Sequence, residues 1–388
     1  MPAIYLDHNA TAPLDPEVFE AMRPHFLAGG NAESRHAAGR AARRAWGHAK
    51  ETVARILGAD PSEVIFTSGG TEANNLALFG LLAGSGREPG HVVSSPIEHP
   101  AVAEPVARLE ADGVAVDRPA VSREGIADAD AMAAAFRPET RLATLMLANN
   151  ETGALQPVAR LADRAREHGV AVHTDAVQAV GRVPVDFRAL GVATLAASAH
   201  KFHGPVGVGL LLVRSGVRLR ARLFGGGQQQ GRRPGTAAVP LAVGLAAALG
   251  RWQAEAEART AHSVALRDRL EAGLVAALGA DRVVRNGPSD PALRLPQTVN
   301  LGFPGLDGDA LLMQLDLAGI AASLGSACAS GSTRPSPTLV AMRVPGDRLR
   351  SSVRFSLGAR TTEAEIGAAI VRIAEVVNRI AEAAEVSG

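Results

Sequence analysis

The chain is poor in the groups that hold nucleic acids, membranes or clusters of thiols. Aromatic residues make up 3% of its 388 positions, too few for a base-stacking platform. Lysine and arginine (40) nearly balance aspartate and glutamate (39), leaving a formal net charge of +1. No global field therefore recruits nucleic acid or an anionic lipid surface. A single cysteine, Cys328, excludes an intrachain disulfide and any multi-cysteine zinc site. Long apolar runs are also missing. The longest, Ala237–Gly250, is about fourteen residues, too short to span a bilayer, and reads as a buried Ala-rich helix. The opening "MPAIYLDHNATAP" lacks a basic leader and an apolar core before a cleavage site. A soluble cytoplasmic protein is expected.

Hydrophobic residues are plentiful at 47%, enough for one large layered domain or two domains. Short apolar strands are predicted at Val64–Thr67, His91–Ser94, Leu142–Leu147, Ala171–Thr174, Thr194–Ala197 and Gly209–Val213. Helices are predicted between them at Ala38–Leu57, Glu72–Leu82, Ala101–Ala111 and Val158–His168. This alternation indicates an α/β fold with a mostly parallel sheet and helices on both faces. After about Gly250 the pattern changes. A long helix, "RWQAEAEARTAHSVALRDRLEAGLVAAL", leads to an α+β tail with strands near Gln297–Leu301 and Ser352–Phe355. The expected division is an N-terminal segment 1–15 packing with the small domain, a large domain 16–250, and a small C-terminal domain 251–388.

In open α/β sheets ligands bind beyond the carboxyl ends of the strands, so the residues after each strand matter. They read "SGGTEANN" (Ser68–Asn75), "SPIEHPAV" with Glu98 and His99, "ANNETG" (Ala148–Gly153), "DAVQ" (Asp175–Gln178) and "SAHK" (Ser198–Lys201). Ser68–Thr71 opens a helix, whose free N–H groups and dipole favour an anion such as phosphate; an ordinary capped helix start is the plainer alternative. Asp175 ends a buried strand. It makes either an Asx turn or a carboxylate for a protonated ring nitrogen, with Gln178 in reach of the same ligand. His99 is either a satisfied loop histidine or a ring that stacks on a flat cofactor and moves protons. Lys201 would be an ordinary surface lysine were it not surrounded by these groups. Among them it can form a Schiff base with pyridoxal phosphate, with Ser198 and His200 serving the phosphate.

Cys328 lies in "SLGSACASGSTRPSP" (Ser323–Pro337), a stretch of small residues and prolines that reads as an exposed, mobile loop. A lone cysteine is commonly an inert small hydrophobe, but on such a loop a thiol can swing to a site and attack. Arg354, inside the strand-like "SSVRFSLG", calls for a carboxylate, from a ligand or from an internal ion pair.

Together these residues resemble the cysteine desulfurases, the NifS/IscS-like branch of the class V aminotransferases, with the fold-type-I pyridoxal phosphate architecture. The resemblance runs from "YLDHNATAP" to "SSVRFSLGARTTEAEI" and includes "FTSGGTEANNLA", "EHPAV", "NNETG", "HTDAVQAVG", "SAHKFHGPVGVG", "GGGQQQGRRPGT" and "GSACASGS". It implies a large domain built on a seven-stranded-type sheet and pyridoxal 5′-phosphate as cofactor. By the same resemblance Lys201 is the Schiff-base lysine, Asp175 pairs the pyridinium nitrogen and Gln178 contacts the ring hydroxyl. His99 stacks on the ring and shuttles protons. Gly70, Thr71, Ser198 and His200 hold the phosphate, and Thr236 reaches the phosphate of a neighbouring subunit in a homodimer. Asn150 contacts cofactor and substrate, and Arg354, helped by Asn31, binds the carboxylate of L-cysteine. Cys328 is the sulfur-accepting nucleophile. Its persulfide goes to an acceptor or iron–sulfur scaffold protein, and through it Cys328 is also an iron–sulfur ligand shared with that scaffold.

The chain departs from the family pattern at Ala32-Glu33, at Ala199 before the histidine, at Val206, and at Ser332-Thr333-Arg334, where an acid is usual. The last of these, with an ending at "AAEVSG" that lacks the longer scaffold-docking tail, bears on partner choice and points to a nitrogen-fixation-type or otherwise specialised acceptor. Competing readings are a selenocysteine lyase, another class V aminotransferase or lyase, and a non-catalytic sulfur carrier. Cys328 weighs against the first two, and the intact Lys201, Asp175 and His99 weigh against the last.

Overall fold

The computed structural model describes residues 3–85, 90–325 and 335–387. Its strands in chain order are β1 (Ile4–Tyr5), β2 (Val64–Thr67), β3 (His91–Val93), β4 (Ala115–Asp117), β5 (Thr140–Thr144), β6 (Ala171–Asp175), β7 (Thr194–Ser198), β8 (Gly209–Val213), β9 (Val284–Asn286), β10 (Thr298–Gly302), β11 (Ile320–Ala321) and β12 (Ser352–Ser356). Seven of them form one sheet in the order β2-β8-β7-β6-β5-β3-β4. Only β8 runs against its neighbours β2 and β7; the other pairings are parallel. Every residue of β2, β7 and β8 is buried, as expected of strands covered on both faces.

The flanking helices carry their own start and stop signals. The Ala37–Leu57 helix is capped by His36, whose ring accepts from Gly39 N, and it ends at Gly58 in the left-handed region (φ 65°), a conformation glycine adopts without steric cost. The Pro100–Ala111 helix begins with a proline at its first position and is capped by His99.

The predicted strand over Leu142–Leu147 lies earlier, at Thr140–Thr144. The apolar residues Leu145 and Met146 follow the strand and are buried, with Leu145 N still donating to His173 O at 3.2 Å. The two predicted helical stretches on either side of residue 250 are one unbroken helix, Val239–Leu278. No proline or helix-ending signal interrupts it, so the change in surroundings falls within the helix. Its first half, with Ala242, Leu245, Leu249 and Trp252, packs into the core under the large sheet. Its second half, with Leu266, Leu270 and Leu274, packs with Val299, Phe355 and Ile373. This second core lies against the antiparallel sheet β12-β10-β9 and the Glu363–Ser387 helix.

The N-terminal segment joins the two cores. β1 pairs with β11, and Asp7 bridges to Ser356 beyond it. The chain then crosses to the large sheet, where Ala12 N donates to His200 O at 2.8 Å. Among the described residues no helix is long and apolar enough to cross a membrane.

Candidate active site

β6 and β7 are adjacent and parallel, with Asp175 paired to Ala196. Their carboxyl ends therefore deliver Asp175 and Ser198 side by side, and Lys201 follows on a single 3-10 turn, Ala199–Lys201. The Lys201 amine donates to the carbonyls of Asn9 (2.7 Å) and Ala10 (2.8 Å). Arg182, buried, lies behind this turn. It donates to Lys201 O and His8 O, to Gln178 Oε1 at 2.8 Å and to Asn9 Oδ1. Gln178 in turn donates to Asn9 O at 3.0 Å. One guanidinium thus joins the lysine turn, the Gln178 turn and the N-terminal segment. Burial pulls Arg182 down to about 9, helped by the charge of Arg354.

Asp175 is buried at the end of β6. It accepts from Val177 N at 2.9 Å and from Asn74 Nδ2 at 2.6 Å. The helix that supplies Asn74, Gly70–Gly84, starts against the ends of β7 and β8. A Cβ on Gly70 would stand 2.8 Å from Val177 Cγ2 and 3.7 Å from Ser198 Cβ, and one on Gly209 would meet the Gly69 backbone at 2.7 Å. These glycines bring the amide-rich helix start to the mouth of the sheet, and its first N–H groups have no partners within the helix. Thr71 and His99 line one open groove there, with Asn75, Phe79 and Arg222.

His99 caps its helix by accepting from Ala101 N at its Nδ1 (3.0 Å), so the neutral ring carries its proton on Nε2. Burial lowers its pKa, the charge of Asp175 opposes this, and Lys201 and Arg354 push it down further. His99 is thus within the electrostatic reach of all three. His200 sits beside Thr11, with Nδ1 and Oγ1 3.1 Å apart. It is lowered to about 4 by burial and by the charges of Lys201 and Arg182.

Arg354 is buried on β12. It forms an ion pair with Asp7 at 2.6 Å and donates to Asn150 O at 3.1 Å. The internal ion pair weighed from sequence is the arrangement observed. Its Nε is buried and has no partner among the described residues. Asn150 is also held by Asn9 Nδ2 at 3.0 Å.

Two of the sequence-derived site residues stand apart from this cluster. Asn31 is exposed and uses its Oδ1 to accept from Glu33 N in a local turn. Thr236 is exposed at the end of a segment whose Arg233 pairs with Glu72 at 2.9 Å, on the helix that begins at Gly70. Cys328 lies outside the described residues.

Sequence reading missed Asn74 and Arg182 as parts of the site, and named Glu98 at a strand end without giving it a role. Glu98 is buried. One oxygen accepts from Met146 N at 2.9 Å, and the other has no partner among the described residues. Burial, then the charge of Asp175, raises this carboxyl to about 8. The available signals were a polar residue on the buried face of an apolar helix for Asn74 and an arginine between apolar residues in "AVGRVPV" for Arg182.

An amine, a carboxylate, a flat imidazole and a helix start around one mouth form the donor set that a phosphorylated pyridine aldehyde requires. A Cβ on Gly69 would meet only Ser198 Oγ, at 3.9 Å, so the helix start is open beside Ser198, and the residues fit pyridoxal 5′-phosphate.

The aminotransferase class-V profile matches residues 4–368. A cysteine desulfurase of Trichormus azollae is 43% identical over 381 residues, covering 98% of this chain and 94% of that protein. Among solved structures, a NifS-like protein superposes with a TM-score of 0.90 at 33% identity over 97% of this chain and 99% of the other. A structure described as SspA in complex with cysteine superposes with a TM-score of 0.80 at 31% identity, covering 92% and 100%. The chain belongs to the aminotransferase class-V family and, within it, to the cysteine desulfurases.

Proposed function

We propose that this chain binds pyridoxal 5′-phosphate and removes sulfur from L-cysteine, giving L-alanine and a persulfide on Cys328 that passes to an acceptor for iron–sulfur cluster assembly or related sulfur chemistry. The observation that carries this reading is the convergence of Lys201, Asp175 and His99 at neighbouring strand ends, beside the helix start at Gly70.

When bound, the cofactor supplies an electron sink for the substrate's Cα–H and Cβ–S bonds. Lys201 would be the amine for the cofactor aldehyde and the base for the proton at Cα. Asn9 O and Ala10 O hold that amine on the site side of the chain. Asp175 would serve the ring nitrogen, Gln178 the ring hydroxyl and His99 the ring face. Gly70, Thr71, Ser198 and His200 would hold the phosphate. Thr236 would do so for the second subunit of a homodimer, which agrees with its exposure. Arg354, supported by Asn150 and aided by Asn31, receives the substrate carboxylate.

The Cys328 thiolate attacks the substrate sulfur, forming an S–S bond. The electron pair of the broken Cβ–S bond stays with carbon, which takes a proton and leaves as alanine. A selenocysteine lyase or a plain aminotransferase leaves the thiol without a role. Incubating the holoenzyme with L-cysteine tests the proposal. Alanine should form, and intact-mass analysis should show one added sulfur on the protein. Cofactor binding without either product would overturn it.

A further inference from the structure

Asp175 can serve a ring nitrogen only if it stays ionised and keeps its direction in a site with little water. Four buried residues bear on this. Thr194 Oγ1 lies 2.8 Å from His173 Nδ1, His173 Nε2 lies 2.9 Å from Asn74 Oδ1, and Asn74 Nδ2 lies 2.6 Å from Asp175 Oδ2. Thr194, His173, Asn74 and Asp175 are all buried. They come from three adjacent elements: the start of β7, the middle and end of β6, and the first turns of the Gly70–Gly84 helix.

The directions in this row are determined. An ionised Asp175 only accepts, so Asn74 must present its NH2 to it. The Asn74 carbonyl then faces His173 Nε2, which must carry the proton. His173 Nδ1 is left as an acceptor, and the Thr194 hydroxyl donates to it. The opposite tautomer would turn the Asn74 carbonyl toward the carboxylate, oxygen against oxygen. A doubly protonated His173 is excluded by burial, which lowers it to about 3.

We propose that Thr194, His173 and Asn74 form a one-directional hydrogen-bond row that fixes Asp175 as an ionised, oriented acceptor for the cofactor ring nitrogen, with His173 held as the neutral Nε2–H tautomer. The inference rests on the proposed pyridoxal phosphate reading of the site. Asn74 and His173 are positioning residues, since they reach the cofactor only through Asp175. Asn74 closes the row because no shorter or apolar side chain in its place could donate to Asp175. His173 sets its sense because only one of the two nitrogens of the neutral imidazole carries a proton to donate.

The test uses pyridoxal 5′-phosphate labelled with 15N in the ring, bound to wild type and to Asn74→Leu, His173→Phe and His173→Gln. In the wild type the ring-nitrogen resonance should lie at the protonated position. Asn74→Leu and His173→Phe should move it toward the unprotonated position and weaken cofactor binding on the order of tenfold, the worth of one charge-assisted hydrogen bond. His173→Gln, whose amide can donate to Asn74 Oδ1, should keep the wild-type resonance. Thermal unfolding of each apoprotein separates loss of fold from loss of the row; if Asn74→Leu does not fold, the contrast between His173→Phe and His173→Gln decides. An unmoved resonance in folded Asn74→Leu or His173→Phe, or equal shifts in the Phe and Gln variants, would overturn the proposal. A wild type that does not bind the cofactor would instead overturn the functional reading beneath it.

Discussion

Arg182 donates to the backbone carbonyl of Lys201 from two of its nitrogens, Nη2 at 2.8 Å and Nε at 3.3 Å. The lysine's position is therefore set by a side chain on the neighbouring strand connection as well as by its own turn. Arg182→Met should leave the acceptors on His8, Gln178 and Lys201 without this donor in a dry interior. The expected loss is about 2–4 kcal/mol of stability, read by denaturant unfolding. The visible band of the lysine-bound cofactor should weaken at fixed pyridoxal phosphate concentration. Arg182→Lys should recover only part of both, because an ammonium cannot span the same acceptors.

Cys328→Ser separates sulfur transfer from cofactor chemistry. The variant should bind pyridoxal phosphate as the wild type does, and L-cysteine should still perturb its visible spectrum. Added sulfur should vanish from its mass spectrum, and alanine production should nearly cease. Wild-type alanine release from this variant would make the thiol a bystander.

Glu98 gives the fold a pH dependence of defined sign. Its carboxyl keeps its proton in the folded protein up to about 8, against a usual value of 4.5. Between these values the folded state holds the proton and the unfolded state does not, so stability contributed by the neutral acid falls as pH rises through this window. Glu98→Gln keeps an acceptor for Met146 N and removes the ionisation. Its unfolding temperature should fall less from pH 5 to pH 8 than that of the wild type, and at pH 8 it should exceed the wild type on the order of 5 °C. Calorimetry of the apoproteins at the two pH values checks both.

The proposed homodimer predicts complementation. Lys201→Ala should lose the visible cofactor band, and Thr236→Ala should bind cofactor more weakly. If Thr236 serves the neighbouring subunit's phosphate, mixed dimers of the two variants contain one site with neither lesion. They should recover activity on mixing after partial denaturation. Monomers with full activity in sedimentation-coupled assays would contradict it.

The sheet was legible because its strands are apolar on both faces and are bounded by polar clusters. Val64–Thr67 and Gly209–Val213 match their predicted bounds. The expected bounds Leu142–Leu147 run past Thr144 because Leu145, Met146 and Leu147 continue the apolar run, and Leu145 N and Leu147 N still donate to His173 O and Asp175 O. The long helix was read as two because its apolar face changes partners near residue 250, and composition follows the partner rather than the backbone. At the site, residues that end strands were visible one by one. Asn74 and Arg182 were not, because their roles depend on partners 101 and 19 positions away, and nothing local marks a polar side chain that is satisfied by a distant strand.

The threading of the first dozen residues has a consequence for biosynthesis. Asn9 and Ala10 hold the Lys201 amine, yet their segment is itself held by β11 and by Ser356. Ser356 follows Asn9 by 347 positions, so a nascent chain presents the two far apart in time. The large sheet can form earlier, as the ribosome releases it, but the lysine's surroundings are completed only when the last strand arrives to hold the first. A truncated or stalled chain would carry every strand-end residue of the site and still lack the carbonyls that seat its amine.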